Sequence, residues 1–230
     1  MAFIQGPPGT GKTTVIAEII WQEILKNPNC RILLTSQTNL AVDNALERLQ
    51  GKRGIRPVRI VPQSKMGKLE REGRRYLLPL IDSWKDDATT DAADNAVNLW
   101  IDIIRDGISN NDKYANVLAQ WKKDLETKDE YIRQTFAQSY KSKVNLVAAT
   151  CSICGSRDFQ DTYKSLYGDE AEPYFDVVIM DEASKATPLE MAVPMVLGRK
   201  IVVIGDHKQL PPMMDENSID TALKKIGQIS

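Results

Sequence analysis

A glycine-rich segment near the start of the chain has the residue types and the spacing of a phosphate-binding loop. Residues 6–13 read GPPGTGKT and fit the pattern G-x-x-x-x-G-K-[ST]. Glycines let the backbone N–H groups of such a loop curl around phosphate oxygens, because no Cβ obstructs them. Lys12 is expected to reach the β- and γ-phosphates of a nucleotide, and the Thr13 hydroxyl to bind Mg²⁺. The predicted loop residues are Gly6, Pro8, Gly9, Thr10, Gly11, Lys12 and Thr13.

An acidic pair, Asp181-Glu182, is the second candidate for chemistry, because it follows directly on the apolar run VVIM. A carboxylate at the end of a buried strand can hold Mg²⁺ opposite Thr13, and its neighbour can orient an attacking water or accept its proton. A lone Asp-Glu pair is more often a solvated pair or a helix start. In a chain that also holds a phosphate-binding loop, we favour the catalytic interpretation.

The segment GDHKQLPP at residues 205–212 follows another apolar strand pattern. Gln209 is a neutral donor and acceptor, suited to sensing whether a γ-phosphate is present. His207 is the only histidine of the chain, and we assign it no chemistry.

The elements that must position these groups read as short apolar strands alternating with helices. Strand patterns cover residues 2–5, 31–35, 58–61, 144–150, 175–180 and 200–206, and helical patterns follow the loop, Thr38 and Pro188. Such alternation predicts an α/β fold with a doubly wound, mainly parallel sheet, whose ligands bind beyond the carboxyl ends of the strands. Each candidate group stands at such an end, which also argues against the alternative that the loop is only a surface turn.

The character of the sequence changes between residues 64 and 143. A basic stretch and an acidic, alanine-rich stretch are followed by amphipathic helical patterns, so we predict an inserted helical subdomain at 64–143 within a domain of residues 1–63 and 144–230. Its tryptophans, among them Trp121, fall on the apolar stripes and are predicted to be core residues. The basic stretch could line a nucleic-acid path or be a solvated face, and both interpretations stay open.

Composition narrows the class of protein further. The 230 residues carry a formal net charge of −1, so any nucleic-acid surface must be a local patch. The chain shows neither an apolar run long enough to span a membrane nor a secretory signal, and we expect an intracellular protein with no membrane partner. Its three cysteines argue against a disulfide framework. Cys151-x-x-Cys154 could suggest zinc or redox chemistry, but we favour reduced, structural cysteines.

Taken together, the motifs resemble those of superfamily 1 helicases, in the same order. They are GPPGTGKT at 6–13, TSQTNLAVDNALERL at 35–49, VAATCSICGS at 147–156, VVIMDEASKATPLEMAVP at 177–194 and VVIGDHKQLPP at 202–212. The branch they resemble translocates 5′→3′ and includes the nonsense-mediated-decay RNA helicase and senataxin. The resemblance implies a RecA-like P-loop NTPase domain, the first of two, with ATP bound between them.

The resemblance also implies roles for individual residues. Gly9, Gly11, Lys12, Thr13 and Thr14 would bind phosphates, Asp181 magnesium, and Gln209 the γ-phosphate, while Glu182 would activate water. Thr38, Asn39 and Thr150 fall in segments that grip the backbone of single-stranded DNA or RNA in this family. Helix capping or strand-end hydrogen bonding would explain those three equally well.

The chain departs from the family pattern in three ways. Lys185 stands where a glutamine is usual, the segment that holds adenine in the family is missing upstream, and nothing after about residue 213 resembles the second RecA-like domain with its arginine. The isolated chain is therefore expected to bind Mg·ATP weakly and hydrolyse it slowly. A P-loop ATPase that is not a helicase, and a scaffold that holds nucleotide without hydrolysis, are the alternative functions.

Overall fold

The computed structural model describes residues 1–7, 9–50, 52, 54–62, 101, 104–105, 108, 112–127, 135 and 138–209. Pro8 of the predicted loop, the basic and acidic stretches between residues 64 and 94, and the LPP segment at 210–212 lie outside these residues. The division into a domain of residues 1–63 and 144–230 and an inserted subdomain at 64–143 stays a prediction.

The described strands form one six-stranded sheet in which every pair of neighbours is parallel. Their order across the sheet is β1-β6-β5-β2-β4-β3. The central strands are nearly all apolar because both of their faces are covered. The strands are β1 (Ala2–Gln5), β2 (Ile32–Ser36), β3 (Pro57–Arg59), β4 (Leu146–Thr150), β5 (Phe175–Asp181) and β6 (Gly198–Gly205).

Helices connect the strands, and most of them begin at a side-chain cap. Thr38, Ser156 and Thr187 each accept a hydrogen bond from a backbone N–H of the first turn of the helix that follows. The described helices are α1 (Lys12–Lys26), α2 (Asn39–Arg48), α3 (Ala115–Thr127), α4 (Arg157–Tyr167) and α5 (Pro188–Met195). None of the described helices is long and apolar enough to cross a membrane.

The register of the sheet brings the ends of the strands that carry the motifs to one edge. Gln5 pairs with Gly205, and Ser36 pairs with both Asp181 and Thr150. Since all strands are parallel, the loop after β1, the acidic pair after β5 and the turn after β6 leave the sheet on the same side. The predicted α/β fold with a doubly wound parallel sheet is therefore confirmed.

Two hydrophobic clusters cover the two faces of the sheet. Helices α1 and α2 pack together on one face, where Ile16, Ile20, Val42 and Leu46 are fully buried. Helix α4 covers the other face with Phe159 and Tyr163. Helix α4 lies outside the helical patterns predicted from the sequence, although Ser156 caps it and its apolar residues recur at helical spacing.

A buried ion pair joins α2 to β3. The Arg59 Nε lies 2.9 Å from the Asp43 Oδ1, with 0% and 3% of the two side chains exposed. Burial lowers the pKa of the Arg59 guanidinium, and the hydrogen bond that Arg59 donates to the Asp43 carboxylate opposes that shift. Arg59 also donates to the backbone carbonyl of Ile60, so the charge is surrounded by oxygen acceptors rather than by water.

Helix α3, which lies within the predicted subdomain, differs from expectation. The helix is present, but none of its residues is buried, and Val117 and Trp121 are 62% and 54% exposed. The prediction that Trp121 is a core residue is therefore wrong. An apolar stripe predicts which side of a helix a partner would cover, and it does not supply that partner.

All three cysteines are free and buried. The Thr35 hydroxyl donates to the Cys151 Sγ at 3.4 Å, and Cys154 lies in the same hydrophobic cluster. Burial raises the pKa of the Cys154 thiol to about 12 and that of Cys30 to about 11. Thiols in this state pack as small apolar side chains.

We expect Asp43→Asn to lower the free energy of unfolding by about 3–5 kcal/mol, because it leaves the Arg59 charge in the interior without a carboxylate. Glu18→Gln is the matched control. It breaks the exposed Lys52–Glu18 pair, which spans 3.5 Å, and should cost less than about 1 kcal/mol. Urea denaturation followed by circular dichroism measures both, and equal losses would contradict the expectation.

The buried thiols should react slowly in the folded protein. A raised pKa leaves little thiolate near neutral pH, and the thiolate is the reactive form. We expect Ellman's reagent to modify all three cysteines promptly in denaturant and to modify them far more slowly in buffer. A fast, stoichiometric reaction of any thiol in the native chain would show that it is not buried as described.

Candidate nucleotide-binding site

The loop between β1 and α1 turns through two glycines in the left-handed region. Gly9 has φ 78° and Gly11 has φ 82°, and an added Cβ would meet no heavy atom within 4 Å at either position. The constraint is therefore in the backbone, since residues with a Cβ rarely adopt these angles. Open space around both glycines leaves room for a ligand to approach the main chain.

The start of the loop is packed tightly against its own interior. A Cβ on Gly6 would lie 2.7 Å from the Thr10 Oγ1 and 3.1 Å from the Lys12 Cγ. The Gly6 N–H donates to the Gly205 carbonyl at 3.1 Å, which continues the pairing of β1 with β6 beyond the strand. A side chain at this position would therefore displace the Thr10 hydroxyl and crowd the Lys12 side chain.

The Lys12 ammonium lies inside the loop. Its Nζ donates to the Gly6 carbonyl at 2.8 Å and to the Pro7 carbonyl at 3.0 Å. The Thr10 hydroxyl donates to the same Pro7 carbonyl at 2.7 Å. These bonds curl the loop around a positive charge, and an incoming phosphate would find the ammonium already in place.

Helix α1 begins without a side-chain cap, unlike α2, α4 and α5. Its N-cap is Gly11, and no acidic residue stands in the first turn. The first intrahelical bond runs from the Val15 N–H to the Gly11 carbonyl, so the preceding N–H groups of the helix have no partner within it. Free N–H groups and the positive end of the helix dipole together favour an anion at this end.

Asp181 ends β5 as a buried carboxylate. It is 5% exposed, and its Oδ1 accepts the Glu182 N–H at 2.8 Å. Burial raises the pKa of Asp181, and the ammonium groups of Lys12 and Lys185 oppose this shift. The loop lysine therefore acts electrostatically on Asp181. Thr13 and Asp181 offer hydroxyl and carboxylate oxygens, the ligand types that suit Mg²⁺.

Glu182 follows with its backbone in the left-handed region, at φ 50° and ψ 36°. It is the only residue other than glycine with a positive φ among those the structure describes. A short 3₁₀ turn, Ala183–Lys185, follows directly. The Lys185 Nζ lies 2.9 Å from the Glu182 Oε1, and the Thr38 hydroxyl donates to the Oε2 at 3.4 Å.

The turn after β6 lies directly beside this acidic turn. A Cβ on Gly205 would come within 3.2 Å of the Ser184 backbone nitrogen, so the two turns touch through their main chains. Gln209 donates its N–H to the Asp206 carbonyl, and the Asp206 carboxylate accepts the Lys208 N–H. Gln209 is half-buried on this turn. The turn follows β6, and β6 lies between β1, which precedes the loop, and β5, which ends at Asp181.

The residues predicted to contact nucleic acid have partners inside the chain. Thr38 is exposed and caps α2, and the Asn39 Oδ1 accepts a hydrogen bond of 2.7 Å from the Arg59 Nη2. Thr150 is only 7% exposed, and its hydroxyl lies 3.3 Å from that of Ser152. Contact with nucleic acid stays a prediction for all three, and the capping alternative holds for Thr38.

Sequence reasoning did not foresee the contacts of three residues that shape this edge of the sheet. They are Gly205, which lets the two turns touch, Arg59, which orients Asn39, and Lys185, which pairs with Glu182. The short spacing from Glu182 to Lys185 was a signal for the last pair. No local signal pointed to Arg59, because the side chains that it binds lie on helix α2.

Comparison with known proteins places the chain in a family. The model of the AAA domain family matches residues 1–217. The chain belongs to this family.

The curated relatives of this AAA domain include proteins named as helicases and one named for nonsense transcripts. It is 34% identical to the DNA polymerase alpha-associated DNA helicase A of Schizosaccharomyces pombe, over 92% of this chain and 29% of that protein. It is 29% identical to an ATP-dependent helicase of Methanocaldococcus jannaschii, over 94% and 35%. It is 26% identical to a Regulator of nonsense transcripts 1 homolog of Neurospora crassa, over 93% and 17%.

These matches confirm the predicted resemblance to superfamily 1 helicases. The AAA domain spans 17% to 35% of the length of these relatives.

We expect Gly11→Ala to weaken Mg·ATP binding at least about tenfold, because a Cβ at φ 82° disfavours the loop conformation. Gly168→Ala is the matched control, since Gly168 has φ 109° with equally open surroundings but ends α4. Titration with a fluorescent ATP analogue measures both affinities. The control should bind normally, and equal weakening in both variants would mean that general strain is responsible.

Proposed function

We propose that this chain is the ATP-binding and ATP-hydrolysing region of a superfamily 1 helicase, which couples hydrolysis to movement along single-stranded nucleic acid. The observation that carries the proposal is the convergence at one edge of the sheet. An uncapped helix start with a lysine inside its loop faces a buried carboxylate on which that lysine acts, and the turn that carries Gln209 leaves the sheet beside them.

The loop residues are proposed to bind the triphosphate. Backbone N–H groups from Gly9 to Thr14 would surround the phosphates, as the free helix start of α1 supports. Lys12 would exchange its two carbonyl acceptors for phosphate oxygens. Thr13 and Asp181 would hold Mg²⁺, which when bound neutralises charge on the β- and γ-phosphates.

Hydrolysis needs a group that orients water and a group that detects the γ-phosphate. Glu182 is proposed for the first role, because its carboxylate is partly exposed beside the buried Asp181. Gln209 is proposed for the second role. Its position on the turn that packs against the acidic turn would let a change at the phosphate reach both segments.

Nucleic acid is proposed to bind at the start of α2. The relatives' names refer to DNA helicases and to nonsense transcripts, so the shared ligand chemistry is a phosphodiester backbone. Thr38 and Asn39 lie at the accessible first turn of α2, where N–H groups and small polar side chains can bind phosphate without reading bases. Thr150 is the weaker candidate of the three, since its side chain is buried.

We propose that a second RecA-like domain, which the resemblance to superfamily 1 helicases implies, completes the ATP site; the chain spans 29% and 35% of the length of two of its relatives. A residue donated from such a domain can contribute ~10³–10⁵ to the rate of phosphoryl transfer. We therefore propose that the 230-residue chain binds Mg·ATP and turns it over slowly.

Lys12→Ala tests the proposal. We expect it to lower Mg·ATP affinity at least about tenfold, because the variant loses the one mobile cation in the loop. Lys26→Ala is the control, since Lys26 ends the same helix and is exposed. Isothermal titration with ATP, with and without Mg²⁺, measures the affinities. Equal affinity of both variants for Mg·ATP would contradict the proposed nucleotide site.

Nucleic-acid coupling is tested in the same chain. Fluorescence anisotropy with a labelled single-stranded oligonucleotide should report binding that falls when Thr38 and Asn39 are both replaced by alanine, because the first turn of α2 would then lose its polar side chains. ATP turnover by the unaltered chain should stay slow with or without the oligonucleotide. Rapid, oligonucleotide-stimulated turnover would contradict the need for a second domain.

A further inference from the structure

The carboxylate of Glu182 is held differently at its two oxygens. We propose that Lys185 is a positioning residue, which anchors the Oε1 of Glu182 so that the Oε2 is the oxygen presented to the attacking water. The inference rests on the proposed role of Glu182 and assigns a role to a lysine that the proposed site does not otherwise use.

The anchor is short and locally built. The Lys185 Nζ lies 2.9 Å from the Glu182 Oε1, and the Lys185 N–H also donates to the Glu182 carbonyl at 2.9 Å. Both bonds close the same one-turn 3₁₀ helix, so side chain and main chain fix each other. A charge-assisted bond of this length is among the stronger hydrogen bonds.

The other oxygen is held weakly. The Thr38 hydroxyl donates to the Glu182 Oε2 at 3.4 Å, well beyond the usual distance for an O–H···O bond. A water molecule can compete with such a contact far more easily than with the ammonium on Oε1. The geometry therefore distinguishes an anchored oxygen from an exchangeable one.

The backbone makes an anchor necessary. Glu182 adopts φ 50°, which side chains with a Cβ rarely take, and the turn after it packs against Gly205. This strained start sets the direction in which the side chain leaves the sheet edge. The carboxylate then reaches solvent with 28% of the side chain exposed, and without Lys185 its torsions would be free to rotate.

The pair is placed where it would add little to folding. The Lys185 side chain is 42% exposed, and ion pairs at such positions contribute weakly to stability. Replacing Lys185 should therefore leave the chain folded. The competing role is direct contact with the γ-phosphate, because Lys185, like Lys12, acts electrostatically on Asp181.

A double-mutant cycle separates these roles. Single-turnover hydrolysis of radiolabelled ATP is measured for the unaltered chain, Lys185→Met, Glu182→Gln and the double variant, with Mg·ATP affinity measured in parallel. We expect Lys185→Met to slow hydrolysis about tenfold, a part of what general base catalysis supplies, with affinity unchanged within about twofold. In the Glu182→Gln background, Lys185→Met should cause no further loss.

Two more variants complete the experiment. Lys185→Arg keeps the charge and the donor and should restore most of the rate. Lys200→Met is the matched control, because it breaks another exposed lysine–glutamate pair, Lys200–Glu23 at 3.2 Å, away from the carboxyl edge of the sheet. It should leave hydrolysis unchanged.

Three results would overturn the inference, each in a distinguishable way. Unchanged or faster hydrolysis in Lys185→Met, with Glu182→Gln slow, would remove the role of Lys185 and leave the proposed function standing. Weaker Mg·ATP binding with additive losses in the double variant would assign Lys185 to the phosphate. Hydrolysis at the unaltered rate in Glu182→Gln would remove the proposed role of Glu182 itself.

Discussion

The parallel pairing of all six described strands is the constraint on which the rest of the structure depends. A parallel strand must be followed by a crossover that returns the chain to the opposite edge, so every strand ends at the same edge. Segments far apart in the sequence, after Gln5, Asp181 and Gly205, are thereby brought together without any direct attraction between them. Charged groups of opposite sign can then be placed in one region at the sheet edge by backbone hydrogen bonds alone.

Main-chain contacts fix the relative positions of the segments that meet at this edge of the sheet. The Gly6 N–H bonds to Gly205, and Gly205 in turn lies against the backbone of Ser184. Three segments of the site therefore meet without an intervening side chain that could change rotamer. Electrostatics follows from this arrangement, since burial disfavours the charge on Asp181 while the ammonium of Lys12 favours it.

Much of the fold and of the candidate site could be predicted from local sequence patterns. Apolar runs of strand length located the strands, and the glycines and Lys12 of the loop follow a spacing that phosphate chemistry itself requires. Long-range burial was not accessible in the same way. Arg59 is buried on β3, where Asp43 and Asn39 of helix α2 bind its guanidinium, and neither contact follows from the residues around it in the sequence.

Errors in prediction have the same origin. The apolar stripe of α3 predicted a buried Trp121, but burial requires a partner surface that periodicity alone cannot specify. The left-handed backbone conformation of Glu182 could not be predicted from the sequence either, because the surrounding packing stabilises this strained conformation. Residues whose state depends on distant neighbours are therefore the ones that a reading of the sequence misses.

The shared packing of α1 and α2 has a mechanical consequence. Both helices begin at the carboxyl edge, and residues such as Ile20 and Leu46 interlock in one fully buried cluster. Close-packed interiors compress little, so the two helices are expected to move together as one rigid unit. A tilt of α1 at its start is therefore expected to move the start of α2 with it.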